Sequence, residues 1–363
     1  MGSADGDVLV IGAGLAGSLA ALALRQQGLG VTVVAPAQEA MASYASYGGV
    51  TGWPALPGAL GQAMLRAPGC WSALEQRHGS LGWQACDLSL HWQETQAVAA
   101  LPLVESLLAQ VPGARQQERR LILPFGRVDG VRLAQALPLA LDRCGVRRLE
   151  RQVLRLEPLS PQGWRLWLAG GDQLEASRVL LAAGPASAGL WPSQVDGRPP
   201  IPAMSWSGAL ALEAGVCAAE SLPAGAAEGI VIPLLGERQG LEARCQELQH
   251  PEWIVDAGLA PRGRGWWLGQ ISVVAPAGAW QEPPDPVWME AELRRRLGAV
   301  WPQLAQLPGR LVQVPVAFPG AAGPLSGAIE GAPGLWGWAG FQGAFALLPV
   351  LAPDLASAIA GTS

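Results

Sequence analysis

Val8-Leu9-Val10-Ile11-Gly12-Ala13-Gly14-Leu15-Ala16-Gly17 is the stretch on which the reading of this chain turns. Val8 to Ile11 is an unbroken run of branched apolar residues, the pattern of a strand buried on both faces of a parallel sheet. Leu15 to Gln27 follows, rich in Ala and Leu, and stops at Gly28, a residue free to take the positive φ that ends a helix. Gly30 to Val34 then repeats the buried-strand pattern, which completes a βαβ unit with a right-handed crossover. Within that unit Gly12 permits the tight turn out of the strand. Gly14 lets the backbone approach a pyrophosphate, and Gly17 lets the helix pack closely on the sheet. The helix N-terminus offers free N–H groups and the positive end of its dipole to the phosphates. The spacing therefore predicts a dinucleotide site. One element is missing: the second strand ends in Val34, Ala35 and Pro36, where an acid normally holds the ribose hydroxyls. Glu39, a backbone group or water is left to substitute.

Outward from this unit the pattern is mixed up to Pro124, with helical stretches expected around Gly61 to Arg66 and Ala97 to Gln110. Gly130 to Cys144 reads as an amphipathic helix, with Val131, Leu133, Leu137 and Leu141 at helical spacing and Asp129 as its cap. Arg151 to Glu157, Gly163 to Leu168 and Gln173 to Ala176 predict a small antiparallel meander, and Arg178 to Gly184 another buried strand. Strand-like pieces at Gly208 to Leu212, Gly229 to Ile232, Trp253 to Asp256 and Gly265 to Val274, then a helix from Val287 to Gly298, suggest a second, antiparallel-sheet domain. Gln281 to Pro286 is a loop by composition. Leu335 to Ala339 reads as a strand and Gly343 to Ala360 as an apolar closing helix.

With 363 residues, 50% of them hydrophobic and 15% charged, the chain can bury two cores, and disorder is excluded as its general character. A net charge of −5 without a basic block argues against a nucleic-acid partner. There is no lysine, so a lysine Schiff base and a lysine general base are excluded. The five cysteines lack any CxxC pair and the three histidines lie apart, so neither a disulfide frame nor a metal site is expected. Met1 to Asp7 lack the positive segment of a signal peptide, and the glycines within Val8 to Leu24 argue against a membrane span, so a cytoplasmic protein is expected.

Four further segments, in order, resemble the D-amino-acid oxidase and glycine oxidase family of FAD-dependent oxidoreductases. Met41 to Val50 is similar to that family's loop of small residues and glycines, with Ser43, Ser46, Gly48, Gly49 and Val50 as cofactor contacts by resemblance. Arg127 to Leu133 resembles the turn and helix before the central meander, in which Val153 matches a valine whose backbone meets the adenine. The strand from Val179 ends in Ala182-Ala183-Gly184, like the family's Ala-Ala-Gly beside the cofactor. Gly340-Phe341-Gln342-Gly343-Ala344 resembles the turn that sits against the flavin ring. A helix N-terminus at Gly343 would also stabilise the negative charge of a reduced flavin.

The resemblance implies an α/β fold, with an FAD-binding Rossmann-like domain on a central parallel sheet and an antiparallel substrate domain. It implies a discontinuous FAD domain over residues 1–90, 124–204 and 313–363, and a cap over 91–123 and 205–312. It further implies oxidation of a C–N bond by hydride transfer to flavin N5, with oxygen or another acceptor downstream. Such a step needs alignment and desolvation more than a side-chain base, so no catalytic residue is singled out. With no cysteine after Cys245 and no histidine near the glycine turn, FAD is expected to be held non-covalently.

Two positions depart from the family. Phe318, in Val316-Ala317-Phe318-Pro319, stands where an arginine pairs with the substrate carboxylate, and a phenyl ring lacks those donors. Gly258, in Gly258-Leu259-Ala260-Pro261-Arg262, stands where a strand carries a substrate-side tyrosine. A less polar amine, or one bound in a different orientation, is therefore expected, with Trp53, Trp267, Gln270 and Phe318 as the candidate lining. Arg244, Arg262 and Arg264 are the alternative donors to a carboxylate. The same two losses leave open a flavin-binding protein without catalysis. A nicotinamide-dependent dehydrogenase is disfavoured by the ordered set of segments and the absent acid at Ala35.

Overall fold

The computed structural model describes residues 8–37, 41–160, 162–193, 195, 203–217, 221–276, 282–319 and 323–361. Its first sheet has six strands in the order Leu325–Ala328, Leu335–Ala339, Arg178–Leu181, Val8–Ile11, Val31–Ala35 and Arg147–Glu150. Only the Leu325–Ala328 edge runs antiparallel to its neighbour. Alternate residues of these strands feed two different cores, as the period of two in a strand requires. Val8, Val10, Val31 and Val33 pack on the helices Leu15–Gln26 and Ala344–Ala360. Leu9, Ile11, Val34 and Leu181 pack on the meander Val153–Pro158, Trp164–Leu168 and Gln173–Ala176. The continuous apolar runs read in the sequence are thus strands covered on both faces, and Gly28 takes the expected positive φ at +83°.

The second sheet runs Arg310–Phe318, Ala203–Leu212, Gly265–Val274, Glu252–Arg262, Gly229–Pro233, Trp83–His91, Arg120–Val128 and Gly49–Val50, with Arg115–Gln117 added on Arg120–Val128. Its pairings are antiparallel except that of Gly229–Pro233 with Trp83–His91. The helix Pro286–Val300 covers one face through Met289, Leu293 and Leu297. The expected domain boundaries, after residues 90, 123, 204 and 312, each fall inside a strand of this sheet.

The helix Gly130–Arg143 begins as expected at Asp129, whose Oδ1 accepts from the N–H of Val131 at 3.0 Å and of Arg132 at 3.1 Å. The longest elements of the mixed region that were not anticipated are the helix Ala67–His78 and the strands Trp83–His91 and Arg120–Val128. That helix carries a thin apolar stripe and is fixed by one residue. Trp71 is fully buried, and its indole N–H donates to the Phe345 carbonyl at 2.7 Å. In Trp83–His91 the alternation is confined to Leu88-Ser89-Leu90, and the polar Ser89 is buried like its two neighbours. Glu39 lies outside the described residues, as does Gln281 of the expected loop. Among the described residues no helix is long and apolar enough to cross a membrane.

Candidate functional site

The strands Val8–Ile11, Arg178–Leu181 and Leu335–Ala339 lie parallel and end side by side. Their carboxyl ends release Gly12, Ala182 and Gly340 at the crevice where ligands of such sheets bind. Gly12 donates its N–H to the Val34 carbonyl at 2.9 Å and holds φ at +114°. A Cβ there would lie 2.3 Å from the Ala182 carbonyl oxygen, so only glycine fits. At Gly14 the backbone is extended, and a Cβ would meet only Ser43 Oγ, at 3.4 Å. Ser43 Oγ accepts the Leu15 N–H at 2.9 Å, which ties the Met41–Val50 loop to the first turn of the helix. The N-cap residue of that helix, Gly14, adds no side-chain cap of its own. A glycine turn kept free of Cβ atoms in front of uncapped N–H groups fits a pyrophosphate.

Against this turn lies a cavity of about 570 Å³, within the range of roughly 300–1,000 Å³ typical of ligand sites. Of the cofactor candidates, Leu15, Ala16, Ser43, Ser46, Gly49, Gly184, Gly340, Phe341, Gln342, Gly343 and Ala344 line it. Gly340 and Gly343 take φ of +76° and +67°, and the helix starting at Ala344 points its N-terminus into the space. Gly12, Ala13, Gly14, Gly17, Gly48, Val50, Val153, Ala182 and Ala183 are not part of this lining. Gly48 allows close approach to Val128, Val50 is fully buried, and Val153 packs in the core that holds Val34.

The second sheet supplies the opposite wall. Gln270 and Phe318 line the cavity as expected. Trp267 sits one layer behind, beside a small void of about 20 Å³ that also touches Tyr47 and Gln270, with the Arg262 guanidinium 5.0 Å above its ring. Trp53 does not line the cavity: it is packed in the core, 5.3 Å from the Phe125 ring. The alternative carboxylate donors also point elsewhere, since Arg244 pairs with Glu252 at 2.8 Å, Arg262 with Glu213 at 3.6 Å, and Arg264 is exposed.

Four polar residues at this wall were not singled out as site residues from the sequence. Tyr47 donates its hydroxyl proton to the Gly269 carbonyl. A Cβ on Gly258 would lie 2.9 Å from Tyr47 Oη, so Tyr47 reaches from the glycine loop into the space a side chain at 258 would need. The phenol that Gly258 lacks is therefore supplied from a distant part of the chain. Arg238 and Glu242 stand one turn apart on the helix Arg238–Ala243, with Arg238 Nε 3.4 Å from Glu242 Oε1. Asp256 Oδ1 accepts the Glu237 N–H at 3.1 Å and so anchors the start of that helix.

Electrostatics at this wall are set by enclosure. Burial, followed by the charge of Asp256, pushes the Tyr47 phenol far above its ordinary range, so the hydroxyl stays protonated. Burial likewise raises the Glu242 and Asp256 carboxyls, and the neighbouring Arg238 offsets this only in part. No motif signals these residues; only the pairing of distant strands brings them together.

The FAD dependent oxidoreductase family matches the chain over residues 7–357. Comparison with curated proteins found no match. Among solved structures, glycine oxidase from Geobacillus kaustophilus superposes with a TM-score of 0.72 at 16% identity, over 98% of this chain and 95% of that one. L-proline dehydrogenase from P. horikoshii gives 0.69 at 16% identity, over 98% and 93%. The dithionite-reduced L-α-glycerophosphate oxidase from Mycoplasma pneumoniae, solved with FAD bound, gives 0.68 at 13% identity, over 98% and 94%. Identities this low speak to the fold alone, whereas the family match spans nearly the whole chain. The chain belongs to the FAD-dependent oxidoreductase family whose fold glycine oxidase shares, and it is an FAD-dependent oxidoreductase.

Proposed function

We propose that the protein oxidises the C–N bond of a small amine or amino-acid-like substrate. The observation that carries this reading is the cavity itself, closed on one side by the Gly340–Ala344 turn and on the other by Tyr47, Arg238, Asp256 and Gln270. When bound, FAD supplies an acceptor at N5 for the hydride of the α-C–H bond, while the nitrogen lone pair closes the C=N bond. The protein's own part is to place that α-carbon and exclude water. Phe318, 4% exposed, and Val316 make the apolar floor, and Tyr47 and Gln270 fix the nitrogen end. The solved proteins of similar fold named above include one for glycine and one for L-proline, both bearing an oxidisable C–N bond, which supports the same class of substrate.

Anaerobic mixing of the flavin-loaded protein with a panel of primary and secondary amines tests this directly. Bleaching of the flavin's long-wavelength band by at least one amine is the expected result. No bleaching across a broad panel would leave the flavin-binding protein without catalysis as the better account. Tyr47→Phe is expected to keep its flavin content and to raise the half-saturating amine concentration about five- to tenfold. That is the loss of one hydrogen bond worth roughly 1 kcal/mol. An unchanged value in that titration would remove Tyr47 from the substrate's contacts.

A further inference from the structure

One requirement of the glycine turn is still unmet. A dinucleotide site of this type holds the adenosine ribose with an acid at the end of the second strand, and that place is Ala35. The neighbouring strand carries an acid level with it. Ile11 is level with Val34 and Val34 with Leu149, so Gly12, Ala35 and Glu150 come next in one row across the three parallel strands. The Arg151 N–H donates to the Ala35 carbonyl at 2.9 Å and pins the end of the Glu150 strand in that register. Side chains of a strand alternate between its faces, and those level with one another in adjacent strands share a face. Val34 and Leu149 both turn to the meander core, so Ala35 and Glu150 both turn to the opposite face, that of the helix Leu15–Gln26. Arg148, two residues before Glu150, marks the same face. Its guanidinium reaches Asp142 of the helix Gly130–Arg143 at 2.7 and 2.9 Å, and that helix packs in one core with Leu15–Gln26.

The row also adjoins the Met41–Val50 loop. Burial raises the Tyr44 phenol and the charge of Arg148 opposes it, so Tyr44 stands beside this strand. The preceding Ser43 is the residue that accepts the Leu15 N–H in the first turn of the helix. Glu150 is exposed, and its carboxylate enters no hydrogen bond or ion pair among the described residues. Asp142 is the first of the groups that favour the Arg148 cation, and Glu150 adds to it only through its charge. We infer that Glu150 accepts the ribose hydroxyls of the FAD adenosine, in place of the acid that position 35 lacks. Adjacent strands lie about 4.8 Å apart, a gap that an extended glutamate side chain spans. The single methyl of Ala35 leaves that gap open. An ionised carboxylate has two acceptor oxygens, one for each hydroxyl of the ribose diol. The assignment concerns the cofactor alone and holds whatever the substrate is.

FAD whose adenosine lacks the 2′-hydroxyl is the probe, with affinity read from the flavin fluorescence that returns as the loaded protein is diluted. The native chain is expected to bind this analogue about tenfold more weakly than FAD, the loss of one hydrogen bond to a charged acceptor. Glu150→Ala should lose about tenfold for FAD as well, by the same reasoning. It should lose nothing further with the analogue, because the missing hydroxyl then has no acceptor. That non-additivity is the decisive reading, since a merely structural role for Glu150 would leave the two losses independent. Glu150→Gln keeps a carbonyl acceptor without the charge and should fall between the native chain and Glu150→Ala for FAD. Because Glu150 is exposed, the denaturant midpoints of the flavin-free chains should match, which checks that the substitutions leave the fold intact. Equal affinity of the native chain for FAD and the analogue, losses that add in Glu150→Ala, or a loss that follows Glu39→Ala instead would overturn the inference.

Discussion

Gly12→Ala is expected to purify with little or no flavin and to lose about 3–5 kcal/mol of stability. Two costs add at this one position. The backbone holds φ at +114°, which costs a residue with a Cβ roughly 1–3 kcal/mol. The added methyl would also stand 2.3 Å from the Ala182 carbonyl oxygen and 3.0 Å from Ala183 Cα. Those atoms belong to the chain leaving a strand hydrogen-bonded to Val8–Ile11, so relief requires parting the two strands whose ends form the crevice. Gly14→Ala makes the informative comparison. Its methyl would meet only Ser43 Oγ at 3.4 Å, so the apoprotein should fold with nearly native stability. If Gly14 is kept bare for the pyrophosphate, FAD affinity should still fall at least tenfold. Denaturant titration and flavin-to-protein absorbance ratios separate the two glycines, and native FAD affinity in Gly14→Ala would show that its lack of a side chain is not needed there.

Asp129→Ala should destabilise the protein by about 2–4 kcal/mol, the second largest effect. One oxygen caps the helix Gly130–Arg143, a contribution of roughly 1 kcal/mol. The other accepts the Gly263 N–H at 2.9 Å and lies 3.5 Å from Arg127 Nη1, with both charged side chains nearly inaccessible. Removing one member leaves a buried charge short of its partner, which is the expensive half of breaking such a pair. The remaining bond from Arg127 to the Pro261 carbonyl, 3.1 Å, keeps the cost below the full penalty. Asp129→Asn retains a good cap but not the charge, so it should fall between Ala and the native chain.

Asp129 also carries a pH signature. Burial pulls its pKa upward, but the N–H groups of Arg132, Gly263 and Val131 and the charge of Arg127 together outweigh it and hold the carboxyl below its ordinary value. A carboxyl lowered in this way contributes stability above its unfolded pKa, near 4, and loses it as pH falls through the lower folded value. The native chain should therefore lose more stability than Asp129→Ala over that acid window, as chemical denaturation at a series of pH values would register. Parallel curves for the two would contradict this.

Local pattern explains why the first sheet was legible in the sequence. Val8 to Ile11 and Val179 to Leu181 are buried on both faces and wholly apolar, and Val31 to Val34 departs from that only at the half-buried Thr32. Gly12 and Gly17 are forced by contacts within thirty residues or by one neighbouring strand end, and such constraints leave a spacing that can be read. The opposite wall has no such trace. Tyr47 comes from a loop, Arg238 and Glu242 from a six-residue helix, and Asp256 and Gln270 from two strands offset by a bulge between Val255 and Gly258. Nothing in their sequence neighbourhoods requires them to meet. Trp53 illustrates the converse, because a large aromatic beside a glycine loop suits a ligand wall and a core equally, and here the core at Phe125 takes it.

The sheet that carries Gln270, Asp256 and Phe318 ends in Gly49–Val50, the continuation of the loop that holds Tyr47. Floor, wall and loop are thus woven into one fabric of main-chain hydrogen bonds that runs unbroken from one edge to the other. A hinge that parted the Tyr47 loop from the strands of Gln270, Asp256 and Phe318 would have to tear a row of those bonds at about 1 kcal/mol each.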